Sequence, residues 1–329
     1  MALGKYIVLH IVSLCGPLIA LGAFSAASNS YRESMQEHGP MDTSGLDPVV
    51  AGILQNYYEL NFNGPRNWAS VESIRYDGLL HLSQGSVRFI AFKKKPDYSK
   101  VVILAGNGAR VVMSYDGVDA WQLNTLEADA EPTAMPPAEA SNFIRDAAFG
   151  GCLLYPRIEG KSFNLLGTIE VNGDPCYELE ITLPDGQRIR SALDLDQFAE
   201  RRQITFNAVS GAEEQNVHYA FRQVEGIRFP VNSAMEVGGE AVHRIEILDI
   251  QLNTGATPWM FSRPAGAYLP GRAAPNDSAI GRLSDVVDPE GGLPFGSTGS
   301  FGEAETRFPD FSPEEQKSLL DDIGQGLYR

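Results

Sequence analysis

Five histidines, His10, His38, His81, His218 and His243, are the residues best suited to metal binding or proton transfer. None has a second His or a Cys at zinc-ligand spacing. "DLD" at 194–196 offers two carboxylates, but no Gly-bearing loop of further oxygen ligands follows, so it reads as a solvated strand end rather than a calcium site. "GNGA" at 106–109 lacks the Lys-Ser/Thr of a phosphate loop and precedes a strand, which makes it a hairpin turn. No Gly-x-Ser-x-Gly elbow occurs, and Ser210-Gly211 sits in turn material with no His partner. "FKKKP" at 92–96 is a basic run of the kind that discourages strand addition, with docking of an acidic partner as the alternative. The sequence therefore predicts a non-enzymatic protein with no cofactor and no metal.

The cysteines offer one more piece of chemistry. "MALGKYIVLHIVSLCGPLIALGAFSAAS" places Lys5 before an apolar run over 6–21 and a small-residue stretch at Ser25-Ala26-Ala27, the pattern of a secretory signal peptide over 1–27. Gly16 and Pro17 interrupt the run; an uncleaved membrane anchor is the alternative. "VSLC" approaches a lipobox around Cys15, but Leu14 stands where a small residue is needed. Removing the signal leaves two of the three cysteines, Cys152 and Cys176, which in an oxidising compartment form either a disulfide or two small buried apolar side chains. Export to the periplasm is the expectation.

What would position a site is mostly β-structure. "DPVVAGILQNYYELN" predicts a helix with Asp47 as N-cap, Pro48 in its first turn, and an apolar stripe of Val49, Val50, Ile53, Leu54, Tyr57 and Tyr58. From Trp68 the period changes to two, giving five strand candidates separated by Gln84-Gly85, Pro96-Asp97, Gly106-Asn107-Gly108 and Asp116-Gly117. "EADAEPTAMPP" breaks the run, and "AEASNFIRDAAFGG" predicts a second helix with Phe143, Ala147 and Ala148 inward. Strands resume with "SFNLLGTIEVNG" and the hairpin "YELEITLPDGQRIRSALDLD". Further alternation assigns Ile204, Phe206 and Ala208, then Val217, Tyr219 and Phe221, then Ile227, Phe229 and Val231 to one apolar face. A phase slip between Ile247 and Leu248 predicts a β-bulge.

Short connections without crossover helices mean antiparallel neighbours, and a wide one-faced meander should curl around its apolar side. The predicted fold class is mainly β (α+β), an antiparallel half-barrel of about eleven strands with helices covering its concave apolar face. Residues 28–46 read as a flexible leader, 47–263 as the half-barrel domain, and 264–329 as a Gly/Pro-rich tail ending in a short helix that starts at Ser312 and stops at Gly324. Hydrophobic residues at 43% and charged residues at 21% suit a globular core, while a net charge of −16 argues against nucleic acid as a partner.

The order of "NWASVESIRYDG", "FKKKPDYSKVVI", "SYDGVDAWQLN", "LLGTIEVNGDPCYELEITLPDGQRIRSALDLD" and "YAFRQVEGIRFPVNSAMEVGGEAVHRIEILDIQLN" resembles the outer-membrane lipoprotein carrier superfamily (LolA/LolB-like), and more narrowly its lipoprotein-sorting relatives. The resemblance covers residues 47–262 and leaves the long tail outside the family pattern. It implies an antiparallel half-barrel whose helices plug a hydrophobic cavity, acyl chains of lipoproteins or lipids as ligands, and no catalytic residues. Phe89, Leu104, Met113, Trp121, Phe143 and Leu153 are the candidate lining of that cavity; ordinary core packing of the same residues is the alternative. Two functions are thus in view: a periplasmic carrier of an acylated lipoprotein or lipid in outer-membrane sorting, or a non-catalytic envelope interaction protein with a filled barrel and a tail that docks an envelope protein.

Overall fold

A computed structural model describes residues 38–264, except 83–84, 105–107, 127–129, 185 and 207–212. The signal segment, most of the leader and the tail from 265 lie outside the described residues, as do Ala208 and the terminal helix expected at Ser312.

Helix α1 (Pro48–Phe62) starts where the sequence places it. Asp47 Oδ1 accepts from the N–H groups of Val49 and Val50 at 2.9 and 3.2 Å, satisfying donors that the first turn leaves free, and Pro48 needs none. The buried stripe is Val50, Ile53, Leu54, Tyr57, Tyr58 and Phe62; Val49, expected in it, is instead 58% exposed because it lies round the helix from the others. Asn63 adopts the left-handed conformation (φ 55°) and turns the chain into the short α2 (Gly64–Ala69), which buries Trp68.

Among the described residues thirteen strands then form one antiparallel sheet. They are β1 (Ser73–Leu82), β2 (Gly85–Lys94), β3 (Tyr98–Leu104), β4 (Arg110–Tyr115), β5 (Ala120–Asn124), β6 (Thr133–Ala134), β7 (Ser162–Val171), β8 (Asp174–Thr182), β9 (Arg188–Asp194), β10 (Glu200–Phe206), β11 (Glu213–Val224), β12 (Ile227–Val237) and β13 (Glu240–Leu252). The count exceeds the expected eleven mainly because the break before the second helix contains the two-residue β6. Lateral order is β6-β5-β4-β3-β2-β1-β13-β12-β11-β10-β9-β8-β7, so each half is a meander and β1 pairs with β13 at the seam. The bulge predicted in the last strand is present: Asp77 faces Asp249 and Gly78 faces Ile247, leaving Leu248 unpaired and 45% exposed.

The sheet does not close. Its edges, β6 and β7, are consecutive in the chain, and residues 135–161 run from one edge to the other over the inner face. This connection carries α3 (Pro137–Ala147), then Phe149, Leu153, Leu154, Tyr155 and Ile158, all within the main core with α1 and α2. Phe143 and Ala147 are buried as expected, Ala148 only partly. Tyr58 Oη donates to the Leu153 carbonyl at 2.6 Å, fastening α1 to the connection. Thus "YELEITLPDGQRIRSALDLD" is a wall of this core: Leu179, Ile181, Ile189 and Leu193 all point into it.

Among the described residues the outer face is covered in one place. Residues 256–263, including the 3-10 turn Pro258–Phe261, strap across β2–β5, where Phe261 packs on Ile90 and Phe92. Trp121 Nε1 and Ser114 Oγ both donate to the Phe261 carbonyl, at 2.7 and 2.9 Å, and Lys100 Nζ donates to the Met260 carbonyl at 2.8 Å. Burial pulls the Lys100 ammonium down to about 8, with the neighbouring Arg110 acting in the same direction.

Cys152 and Cys176 are free, which corrects the disulfide alternative. They lie on opposite faces of the sheet: Cys152 in the main core, Cys176 in an outer cluster with Val171, Ala192 and Val217. No bridge can form through the sheet.

Candidate ligand-binding site

A cavity of about 160 Å³ lies between α1, α2, the connection and the sheet. Its apolar side is aromatic. Tyr57 and Phe62 from α1, Trp68 from α2, Phe89 from β2, Phe149 from the connection and Phe229 from β12 all contribute. The rings form a chain: Tyr57 to Phe62 at 5.4 Å and Phe62 to Trp68 at 5.0 Å between centroids meet edge to face, and Trp68 to Phe149 at 5.1 Å is tilted by 31°. Phe89 lies across Gly78 of β1, where an added Cβ would stand 2.7 Å from the ring and 2.6 Å from the Glu246 carbonyl oxygen; only glycine leaves room for it.

The other side is polar. Register fixes it: Leu193 pairs with Glu200, Ser191 with Gln203, Gln203 with Asn216, and His218 with Ser233, so all of these point the same way as core Leu193. This overturns the expected facing of β10 and β11. Ile204, paired with Arg190 and Gln215, and Val217, in the outer cluster, point outward, and Tyr219 is 45% exposed. The side chain of Phe206 lies outside the described residues. Alternation puts the apolar residues of "ERRQITF" and "EEQNVHYAF" in one phase, but the pairing with β9, with its register shift between Glu200 and Arg202, turns the polar phase inward instead.

Four of these polar groups line the cavity: Glu200, Gln203, His218 and Ser233. Ser191 Oγ donates to Glu200 Oε1 at 2.6 Å, Gln203 Nε2 donates to Cys152 Sγ at 2.9 Å, and His218 Nδ1 shares a 2.7 Å hydrogen bond with Ser233 Oγ. Burial pushes the Glu200 carboxyl up to about 7, opposed in part by the Ser191 bond, and pulls the His218 imidazole down to about 4. The Cys152 thiol is raised far above its ordinary range, first by burial and then by Glu200, so it is an inert thiol at neutral pH. Arg228 stands at the rim with neutral partners: Gln197 Oε1 at 2.9 Å, the Gln197 carbonyl at 3.2 Å and Asn61 Oδ1 at 3.4 Å. Lys93, also in the lining, donates to the Asp146 carbonyl at the end of α3.

Of the six residues expected to line a cavity, Phe89 and Leu153 do. Met113 and Phe143 belong to the same core without reaching it. Leu104 and Trp121 do not point inward at all. Met113 pairs with Gln122, and Ser114 with Trp121, so Trp121 faces away from Met113 and packs with Val102, Val112 and Leu123 under the strap; Leu104 packs there too. Both faces of β3–β5 are apolar because the strap covers one and the core the other, so alternation carries no facing signal there. Glu200, Gln203 and His218 carry no signal of a site in the sequence, since inward polar positions on a half-barrel strand look like its solvated face. Among the described residues no group of three or more metal-ligating side chains is assembled, and no helix is long and apolar enough to cross a membrane.

No family model matches this sequence. No curated protein matches it either. Solved structures do. A domain assigned to outer-membrane lipoprotein sorting from Vibrio parahaemolyticus matches with a TM-score of 0.45 at 15% identity, covering 64% of this chain and 95% of that one. A LolA superfamily protein from Nitrosomonas europaea matches with a TM-score of 0.46 at 16% identity, over 65% of this chain and 97% of that one. A DUF1329 family protein from Desulfovibrio piger gives a TM-score of 0.47 at 15% identity, over 66% and 98%.

Proposed function

We propose that this protein is a non-catalytic, exported binder or carrier of a hydrophobic ligand, working in the periplasm on an acylated lipoprotein or lipid in outer-membrane sorting. The observation that carries this reading is the aromatic cavity held between one sheet face and a cover of separate pieces, α1, α2 and the 135–161 connection. Apolar ligands enter concave sites of this kind without needing catalytic groups. The Vibrio domain, assigned to lipoprotein sorting, and the Nitrosomonas protein, of the LolA superfamily, agree with the reading.

The size of the cavity favours a second reading beside it. At about 160 Å³ it matches the roughly 150 Å³ engineered cavity that takes benzene, below the roughly 300–1,000 Å³ of sites for larger ligands. The rest of the inner face is filled by side chains, as in an envelope interaction protein with a solid core and a partner-docking tail.

Native mass spectrometry of the protein purified from its exported fraction separates the two. Co-purifying lipid or acylated mass, released on unfolding, is the expected result; a bare polypeptide mass under gentle conditions favours the filled scaffold. N-terminal sequencing of the same material should begin near Ser28, whereas an intact Met1 on membrane-extracted protein would replace export and cleavage with anchoring.

A further inference from the structure

The cavity is sized for a head group and lined for a particular one. Resting on the ligand-binding reading above, we infer that it recognises a small organic cation, an ammonium group held between the aromatic rings and the Glu200 carboxylate.

Three observations meet there. First, Glu200 opens onto the cavity with one oxygen bonded to Ser191 and no basic side chain within ion-pair distance among the described residues. A carboxylate withdrawn from water without a counter-charge is costly, and a bound cation would supply the missing charge. Second, acceptors are on offer beside the carboxylate. Gln203 spends one amide N–H on Cys152 and keeps its carbonyl oxygen as an acceptor, and neutral His218 engages Ser233 through Nδ1, so that Nε2 accepts in the tautomer whose Nδ1 donates to Ser233. Third, the lining opposite is aromatic, and aromatic rings hold ammonium ions over their faces. Two of these rings already carry one: Lys95 Nζ lies 5.7 Å from the Phe149 centroid and 6.0 Å from that of Trp68.

The other charged groups of the lining do not compete for Glu200. Lys93 is directed to the Asp146 carbonyl, and Arg228 sits at the rim on Gln197 and Asn61. Cys152 and Tyr57, both close enough to feel Glu200, are held neutral by burial. An acid inside and an unpaired guanidinium at the mouth would suit a zwitterion whose ammonium enters first and whose phosphate stays at the rim. The same ammonium chemistry is offered by a lipid head group and by a free amine.

Isothermal titration of the purified protein with choline and with its uncharged carbon isostere tests the inference, because the two share shape and differ in charge. Choline should bind at least about tenfold more tightly, and Glu200→Gln should erase most of that preference. Equal affinities for the two molecules, or choline binding unchanged in Glu200→Gln, overturn the proposal. Should that variant fail to fold, the wild-type protein serves: choline keeps its charge at every pH, so its affinity must fall as Glu200 is protonated between about pH 8 and pH 5.5, and a flat profile is equally fatal. A monomeric lysophosphatidylcholine assigns the source. Tighter binding than free choline, with Arg228→Gln removing only the increment, indicates a lipid head group; equal binding indicates a free amine. Co-purified apolar mass without choline selectivity would leave the carrier reading standing and remove this one.

Discussion

The two halves of the inner face share one sheet and one cover, yet they are built from opposite materials. Across β1–β4 a row of paired positions reads Tyr76, Ala91, Val101, Met113, and the next reads Gly78, Phe89, Ile103, Val111. Across β9–β13 the corresponding row reads Ser191, Gln203, Asn216, Met235, His243, flanked by Thr205 and Glu214, and every one of these is buried. The first half gains stability from contact area, which is non-directional and tolerant of rearrangement. The second must keep each polar group bonded or face the cost of leaving it unsatisfied, so its geometry is specific. The difference teaches that a half-barrel can build one wall from contact area and the other from directional bonds.

The largest test of that division is Phe89→Ala. Phe89 is fully buried and holds the apolar wall against Gly78, so truncation should cost about 3–5 kcal/mol in denaturant unfolding. A loss below about 1 kcal/mol would mean that the wall collapses into the space and is less rigid than described.

A smaller effect, of opposite sign at two residues, should come from the polar wall. Glu200 holds its proton up to about 7 in the folded protein against an ordinary 4.5, so the unfolded chain ionises first and stability falls as pH rises through that window. His218 titrates near 4 when folded against an ordinary 6.5, so stability falls as pH drops from 6.5 toward 4. Each contributes a slope of at most about 1.4 kcal/mol per pH unit, and between 4.5 and 6.5 they oppose one another. Glu200→Gln should therefore uncover a profile that rises with pH, and His218→Gln one that falls. Melting temperatures of both variants across that range check it; parallel profiles would show that the wall does not titrate as described.

The smallest effect lies on the outer face. Trp121→Phe removes the hydrogen bond to the Phe261 carbonyl and should cost about 1 kcal/mol. Amide exchange should quicken over 257–262 while ligand binding stays unchanged. Altered binding would return Trp121 to the inner face.

Much of this architecture is legible in the amino-acid order because local chemistry marks it. Asp47 and Pro48 announce α1, the Gly-bearing turns punctuate the strands, and the skipped residue at Leu248 shows as a slip in alternation. Facing is harder to read. A period of two says that a strand has two sides, and the neighbour's register says which is inside. Leu104 and Trp121 defeat the reading because the strap makes their side as apolar as the core. Glu200 and His218 defeat it because burial of polar groups depends on partners, Ser191 and Ser233, that lie 9 and 15 residues away in the chain.

The route of residues 135–161 has a mechanical consequence. The two free edges of the sheet, β6 and β7, are joined by covalent chain across the opening, as a string joins the tips of a bow. Any flexing of the sheet that widens the mouth must draw this segment taut, and the groups it would drag, Phe149 and Leu153, are themselves walls of the cavity. Widening the mouth and moving the cavity wall are thus geared together. A circular permutant with its new ends cut into this string and its old ends joined would keep every strand pairing while slackening the bow.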